Sequence, residues 1–423
     1  MHHFTYREGH LYAEDVALEA IARAVGTPFY CYSAATLRRH FRVFADAFAD
    51  RDTLVAFSVK SLSNLAVLTL LQKEGAGADV VSGGELSRAL TAGIPGDRIV
   101  FSGVGKTRTE MAAALEAGIH QFNVESVPEL QALNDVAISH DTTAPVALRI
   151  NPDVAAGSHD KISTGRAEDK FGIPWAQARD VYRLAGNLPG IAVKGVDVHI
   201  GSQITDLAPF EKAFNRTAEL VRALRADGHE ITRLDLGGGL GVPYQHGDDQ
   251  SAPPHPEVYA EMIKRIAGPL DVQLIFEPGR MITGNAGILV SRIIYHKEGE
   301  SRRFLILDAA MNDLIRPALY DAWHDVIPVR EPGSQGGKVK YDLVGPVCET
   351  GDTFARQRDL PELAENDLVA FLTAGAYGAV QASQYNTRPL VLEVLVDGDR
   401  YAVIRKRPTT AQILAMESVP DWV

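Results

Sequence analysis

Eight short apolar runs, each closed by a polar or glycine-rich set, constrain this fold more than any other feature of the chain. They cover residues 54–59, 79–81, 99–101, 122–124, 146–150, 196–198, 234–236 and 274–276. Directly behind them stand Lys60, Ser82-Gly83-Gly84, Ser102-Gly103, Glu125-Ser126, Asn151-Pro152, His199, Gly237-Gly238-Gly239 and Glu277-Pro278-Gly279-Arg280. Helix-forming stretches separate most of the runs. Strand and helix alternating eight times is the pattern of an α/β chain closed into a (β/α)8 TIM-like barrel. Such barrels carry their chemistry at the C-terminal ends of the strands, where the reactive residue types fall here.

The 423 residues exceed what a barrel of about 250 requires, so a second domain is expected. Beyond Arg280 the rhythm changes. Strands are expected over 287–296, 303–308, 339–344, 367–373, 390–396 and 401–405, the last two joined by the hairpin signal Asp397-Gly398-Asp399. The expected organisation is an N-terminal segment, 1–30, packing on a C-terminal β-rich domain of sandwich or barrel-like form, 285–423, with the barrel at 31–284 between them. A helix is expected over 15–25, closed by Gly26-Thr27-Pro28, and an amphipathic one over 36–48. Residues 245–256 and 330–338 read as loops. The first is an insertion whose role is not legible.

A net charge of −12 argues against nucleic-acid or anionic-membrane partners. No apolar run approaches the roughly 20 residues of a membrane span, and the N-terminus lacks a signal peptide's basic and apolar regions. Two cysteines, Cys31 and Cys348, make no disulfide framework and fit a reducing compartment. A cytoplasmic location is expected.

The strand ends carry the chemistry. A lysine closing the first run, Lys60, sits at a pocket edge where desolvation favours the free amine needed for Schiff-base formation. Gly237-Gly238-Gly239 closes the seventh run, and exposed amides in such a turn cradle phosphate, though tight turns also use glycine for backbone reasons. Glu277 closes the eighth. A carboxyl group aimed at a pyridine nitrogen strengthens that ring as an electron sink, and Arg280 offers a fork for carboxylate or phosphate. His199 suits stacking on an aromatic cofactor, with Ser202 reaching a phosphate. Singly, each residue also has a structural reading, as a rim salt bridge or a core histidine. Together they specify pyridoxal 5′-phosphate, and no paired His/Cys spacing argues for a metal.

These motifs resemble the fold-type III pyridoxal-phosphate-dependent decarboxylases along nearly the whole chain. Ala56-Phe57-Ser58-Val59-Lys60-Ser61-Leu62-Ser63-Asn64 is similar to the cofactor-lysine segment, with Ser61-Leu62 where Ala-Asn is common. Gly77–Leu86, His199-Ile200-Gly201-Ser202-Gln203, the glycine turn and Glu277-Pro278-Gly279-Arg280 follow in order. Ile162-Ser163-Thr164-Gly165 with Lys170-Phe171-Gly172-Ile173 resembles the family's diaminopimelate branch. The resemblance implies further roles. Arg316 and Tyr320 would hold a substrate carboxylate, together with Arg280. Cys348 would donate a proton to the α-carbon, and Glu349 would read the distal end of the substrate. Tyr377 would contact cofactor and substrate, and Gly279 would line the cofactor site. It also implies a homodimer whose partner subunit supplies Cys348 and Glu349. The expected reaction is decarboxylation of meso-2,6-diaminopimelate to L-lysine. A sister decarboxylase of ornithine, arginine or carboxynorspermidine, a racemase of the same fold type and a non-catalytic binding homologue are the alternatives.

Overall fold

The structure is a computed structural model and describes residues 2–154, 164–165, 169–245, 253–331 and 337–423. The chain forms two compact units. One holds residues 38–242 and 249–282; the other holds 1–37, 243–248 and 283–423.

Among the described residues of the first unit, eight parallel strands close into a barrel. They are β1 (Thr53–Ser58), β2 (Gly77–Val80), β3 (Ile99–Phe101), β4 (Gln121–Val124), β5 (Ala144–Asn151), β6 (Ile191–Asp197), β7 (Arg233–Asp235) and β8 (Gln273–Phe276). Each pairs with the next, and β8 closes on β1 with Ile275 opposite Leu54. Every sequence-expected barrel strand is present. Their ends differ by a few residues: β1 stops at Ser58, because Val59–Ser61 turns into a single 3₁₀ turn whose Ser61 hydroxyl donates to the Ser58 carbonyl at 2.8 Å.

Alternation along the strands decides what faces where. Phe276 points outward and packs on Phe48, just past the helix Ala34–Asp46, ring centroids 4.3 Å apart, with Phe44 of that helix and Tyr259 around them. Leu54, Ala56, Val100 and Ile275 form an apolar cluster in the lumen. Toward the C-terminal ends the lumen turns polar, with Ser58, Asp79, Ser102, Asn123, Asp235 and Glu277 all buried. Some polar strand-end residues serve the helices instead. Ser82 and Ser126 are N-caps, accepting from the Glu85 and Glu129 amides of Gly83–Thr91 and Val127–Ser139.

The second unit is β-rich. Its sheet runs Thr353–Pro361, Lys338–Val344, Arg303–Leu307, Gly287–Glu298, Phe29–Ser33, Leu392–Asp397, Arg400–Arg405, with Leu368–Phe371 also on Gly287–Glu298 and Val326–Pro328 beside it. Phe29–Ser33 is fully buried and pairs antiparallel with Gly287–Glu298 and parallel with Leu392–Asp397. Phe4, Leu11, Leu18, Ile21, Phe29, Cys31, Ile288 and Val394 share its core. The helix expected from residue 15 begins at Leu18, because Val16–Ala17 pairs as a short strand with Tyr12 and Ala13. Thr353–Pro361 and Val326–Pro328 had no counterpart in the sequence reading. Among the described residues no helix is long and apolar enough to cross a membrane.

Candidate active site

Lys60 rides on the turn just past β1, its side chain 36% exposed. Its Nζ lies 2.9 Å from Asp79 Oδ2, the oxygen that also accepts from Ser58 Oγ at 2.8 Å. Asp79 comes from β2 and is fully buried. The ammonium therefore has a buried counter-ion at the lumen mouth.

The glycine turn after β7 is shaped by close approach. Gly237 has φ +62°, and a Cβ there would stand 2.7 Å from His199 Nδ1. One on Gly238 would stand 2.3 Å from the Glu277 carbonyl oxygen. The Gly237 N–H donates to Asp235 Oδ1 at 3.0 Å, and the Gly238 N–H to His199 Nδ1 at 3.2 Å. Two amides of the triplet thus fix its neighbours. His199 Nδ1 is an acceptor, so the ring hydrogen belongs on Nε2. Burial, then the cations Arg149 and Lys60, push the His199 pKa well below its ordinary value, and the ring is neutral.

Arg280, buried after β8, donates from Nε and Nη2 to Ser202 Oγ at 3.2 and 3.1 Å. A Cβ on Gly279 would lie 3.0 Å from the Cβ atoms of Ser58 and Ser61. That approach draws the Glu-Pro-Gly-Arg segment against the Lys60 turn, and the Ser58 N–H donates to the Pro278 carbonyl at 3.1 Å.

Across the lumen, Glu277 Oε1 accepts from Ser102 Oγ and Asn123 Nδ2, both at 3.0 Å. The same Asn123 amide reaches Asp235 Oδ2 at 3.0 Å. Carboxyl oxygens of Asp197, Asp235 and Glu277 lie within 4.8 Å of one another, all buried. Three such groups in a dry interior cannot all ionise. Burial first, and neighbouring carboxylates next, push Asp235 up to about 8 and Asp197 and Glu277 well above the usual carboxylate range. Arg149 supplies nearby positive charge. Its Nη1 donates to Glu125 Oε1 at 3.0 Å, and its guanidinium covers the Phe171 ring at 4.9 Å. Gly172 donates to Glu125 Oε2 at 3.2 Å, so the Lys170–Ile173 stretch reaches this group. Thr164 Oγ1 donates to the His199 carbonyl at 3.1 Å. Ile162 and Ser163 of the same motif lie outside the described residues.

These groups fit a phosphorylated pyridine aldehyde. They comprise an amine, a neutral imidazole, a carboxyl group that burial holds well above the usual carboxylate range, an arginine joined to a hydroxyl, and a turn from which Cβ atoms are excluded. Asp79, Asn123, Arg149 and Asp235 belong to the same constellation, and the sequence reading gave them no role. The available signal was one polar residue inside each otherwise apolar run.

The β-rich unit carries the other expected residues. Arg316 opens the helix Arg316–Tyr320, is 6% exposed, and donates from Nη1 to His324 Nε2 at 2.9 Å. The Tyr320 hydroxyl accepts from Gln381 Nε2 at 3.4 Å. Cys348 is exposed, with its N–H donating to Asn386 Oδ1 at 3.3 Å. Its loop is pinned by the buried Asp352 carboxylate, which accepts the Val347 and Met311 amides at 2.7 Å each. Glu349 Oε2 accepts from the Tyr385 hydroxyl at 3.1 Å. Tyr377 has φ +55°, a costly conformation for a bulky residue.

Residues 34–284 match the family model of the pyridoxal-dependent decarboxylase, pyridoxal binding domain. The chain is 51% identical to a diaminopimelate decarboxylase of Zymomonas mobilis over 423 residues, 99% of each chain. A crystal structure of Helicobacter pylori diaminopimelate decarboxylase complexed with L-lysine superposes with a TM-score of 0.90 at 39% identity, covering 94% of this chain and 98% of that one. The diaminopimelate decarboxylase of M. jannaschii in co-complex with L-lysine gives 0.93 at 35% identity, covering 99% and 98%.

Proposed function

The chain belongs to the pyridoxal-dependent decarboxylase family, among its diaminopimelate decarboxylases, and we propose that it converts meso-2,6-diaminopimelate to L-lysine and CO2, the last step of lysine biosynthesis. It is a carboxy-lyase, and its cofactor is pyridoxal 5′-phosphate. When bound, the cofactor supplies an electron sink for the bonding pair freed as CO2 leaves. The observation that carries the reading is the joint presence, at the ends of β1, β6, β7 and β8, of Lys60, His199, the glycine turn, Glu277 and Arg280.

In this reading Lys60, paired with Asp79, would hold the cofactor through Nζ. Ser202 and Arg280, already joined, would hold the phosphate with the Gly239 N–H, while Gly237 and Gly238 keep the turn in place and Gly279 keeps Arg280 close. The neutral His199 ring would support the cofactor's face. Glu277, whose carboxyl group is pushed by burial well above the usual carboxylate range, would hold a proton on the ring nitrogen. Arg280, Arg316 and Tyr320 bind the substrate's retained carboxylate, Glu349 its amino group, and Tyr377 touches both cofactor and substrate. Cys348 then delivers a proton to the carbon that has lost CO2.

We assign residues 31–284 to cofactor binding and 285–423 to substrate and interface residues, with 1–30 as an N-terminal segment on the β-rich domain. The working form is a homodimer in which the partner subunit supplies Cys348 and Glu349. A reactive free thiol calls for a reducing compartment, and the cytoplasm is the location we favour. Turnover in D2O tests the chemistry. The reading predicts L-lysine bearing one deuterium on Cε, with one CO2 per lysine. Deuterium exchanged into diaminopimelate with both carboxylates retained would make it a racemase instead.

A further inference from the structure

Arg316 is held by two side chains to which nothing above assigns a role. Its Nη1 N–H donates to His324 Nε2 at 2.9 Å, and its guanidinium carbon lies 4.5 Å from the Tyr244 ring centroid. Tyr244 and His324 meet edge to face, centroids 5.3 Å apart and planes at 86°. On the other side of the imidazole, Nδ1 lies 2.9 Å from the Leu372 carbonyl oxygen. A carbonyl only accepts, so Nδ1 carries the hydrogen and Nε2 offers its lone pair to the arginine. His324 is 1% exposed. Tyr244 belongs to the stretch entering the 245–256 loop, whose Pro243 carbonyl accepts from Thr373 Oγ1 at 3.3 Å.

Imidazole and phenol rings orient a guanidinium without adding a negative charge beside it. A planar fork gains most from such support, because its two parallel bonds to a carboxylate require one plane and one direction. An arginine without it must be ordered by the substrate itself, which weakens binding.

We propose that His324 and Tyr244 are positioning residues that set Arg316 to receive the carboxylate retained in the product, and so tune selection of a substrate with a second amino-acid terminus. The proposal rests on the reading of Arg316 as a carboxylate ligand. It also gives the chain entering the 245–256 insertion a function.

Steady-state kinetics on meso-diaminopimelate and a titration with L-lysine, which keeps the same carboxylate, test it on the holoenzyme. His324→Leu is expected to raise KM and the lysine Kd about tenfold or more, the scale of one hydrogen bond to a charged group. kcat and the bound cofactor's absorbance should hold. His324→Gln restores an acceptor and should recover most of the affinity. Tyr244→Leu should move KM the same way by less, and it carries the test if His324→Leu does not fold. Arg316→Ala should raise KM, and adding His324→Leu to it should cost nothing more. If His324→Leu and Tyr244→Leu leave KM unchanged while Arg316→Ala raises it, the positioning role is overturned and the Arg316 reading stands. If Arg316→Ala changes neither KM nor lysine binding, both are overturned.

Discussion

At Gly237 a methyl group would meet His199 Nδ1 in a backbone already at φ +62°. Gly237→Ala should therefore cost about 1–3 kcal/mol through strain at a left-handed position. It should also displace the imidazole. A lower Tm together with weaker pyridoxal-phosphate affinity, followed by fluorescence titration, is the expected outcome. Asp235 gives a pH prediction. Its folded pKa of about 8 stands above an unfolded value of about 3.9. The stability its neutral form contributes is full below the unfolded value and is lost as pH rises through the folded one. The Tm of cofactor-free Asp235→Asn, relative to the parent, should climb from pH 5 to pH 9; a constant gap would contradict this. Lys60, His199, Glu277 and Arg280 were legible because they stand at the ends of runs. Asp79, Asn123 and Asp235 were not, because a polar residue inside an apolar run gains meaning only once alternation points it into a lumen. His324 is legible only in three dimensions, since its acceptor role depends on a carbonyl 48 residues away.

The barrel strands were legible as elements because short buried runs recur between helical stretches. Phe29–Ser33 was not, because its partner Gly287–Glu298 lies far along the chain and nothing local announces the pairing. Thr353–Pro361 escaped for another reason. Its Arg-Gln-Arg-Asp segment breaks the apolar pattern, as befits a strand at the edge of the sheet. The loop between Lys338–Val344 and Thr353–Pro361 carries Cys348 and depends on Asp352 for its shape. Asp352→Ala strips the Val347 and Met311 amides of their acceptor, at about 1–3 kcal/mol for each buried group left unpaired. Turnover should fall with cofactor binding intact, and hydrogen exchange should quicken across residues 345–352. Unchanged kcat would separate that loop from the chemistry.

For the whole molecule, the proposal of shared sites predicts complementation. Lys60→Ala and Cys348→Ala should each be inactive alone. Mixed and allowed to exchange subunits, they should regain about a quarter of parental activity, because half the two-fold dimers are hybrids with one intact site. No recovery in a mixture verified to contain hybrids would confine each site to one subunit.

One assay bears on the chemistry most closely. Purified protein with pyridoxal phosphate is given meso-diaminopimelate, ornithine and arginine side by side, and CO2 and amine products are scored. Lysine and CO2 from meso-diaminopimelate alone is the predicted result. CO2 from ornithine or arginine, with none from meso-diaminopimelate, would contradict it.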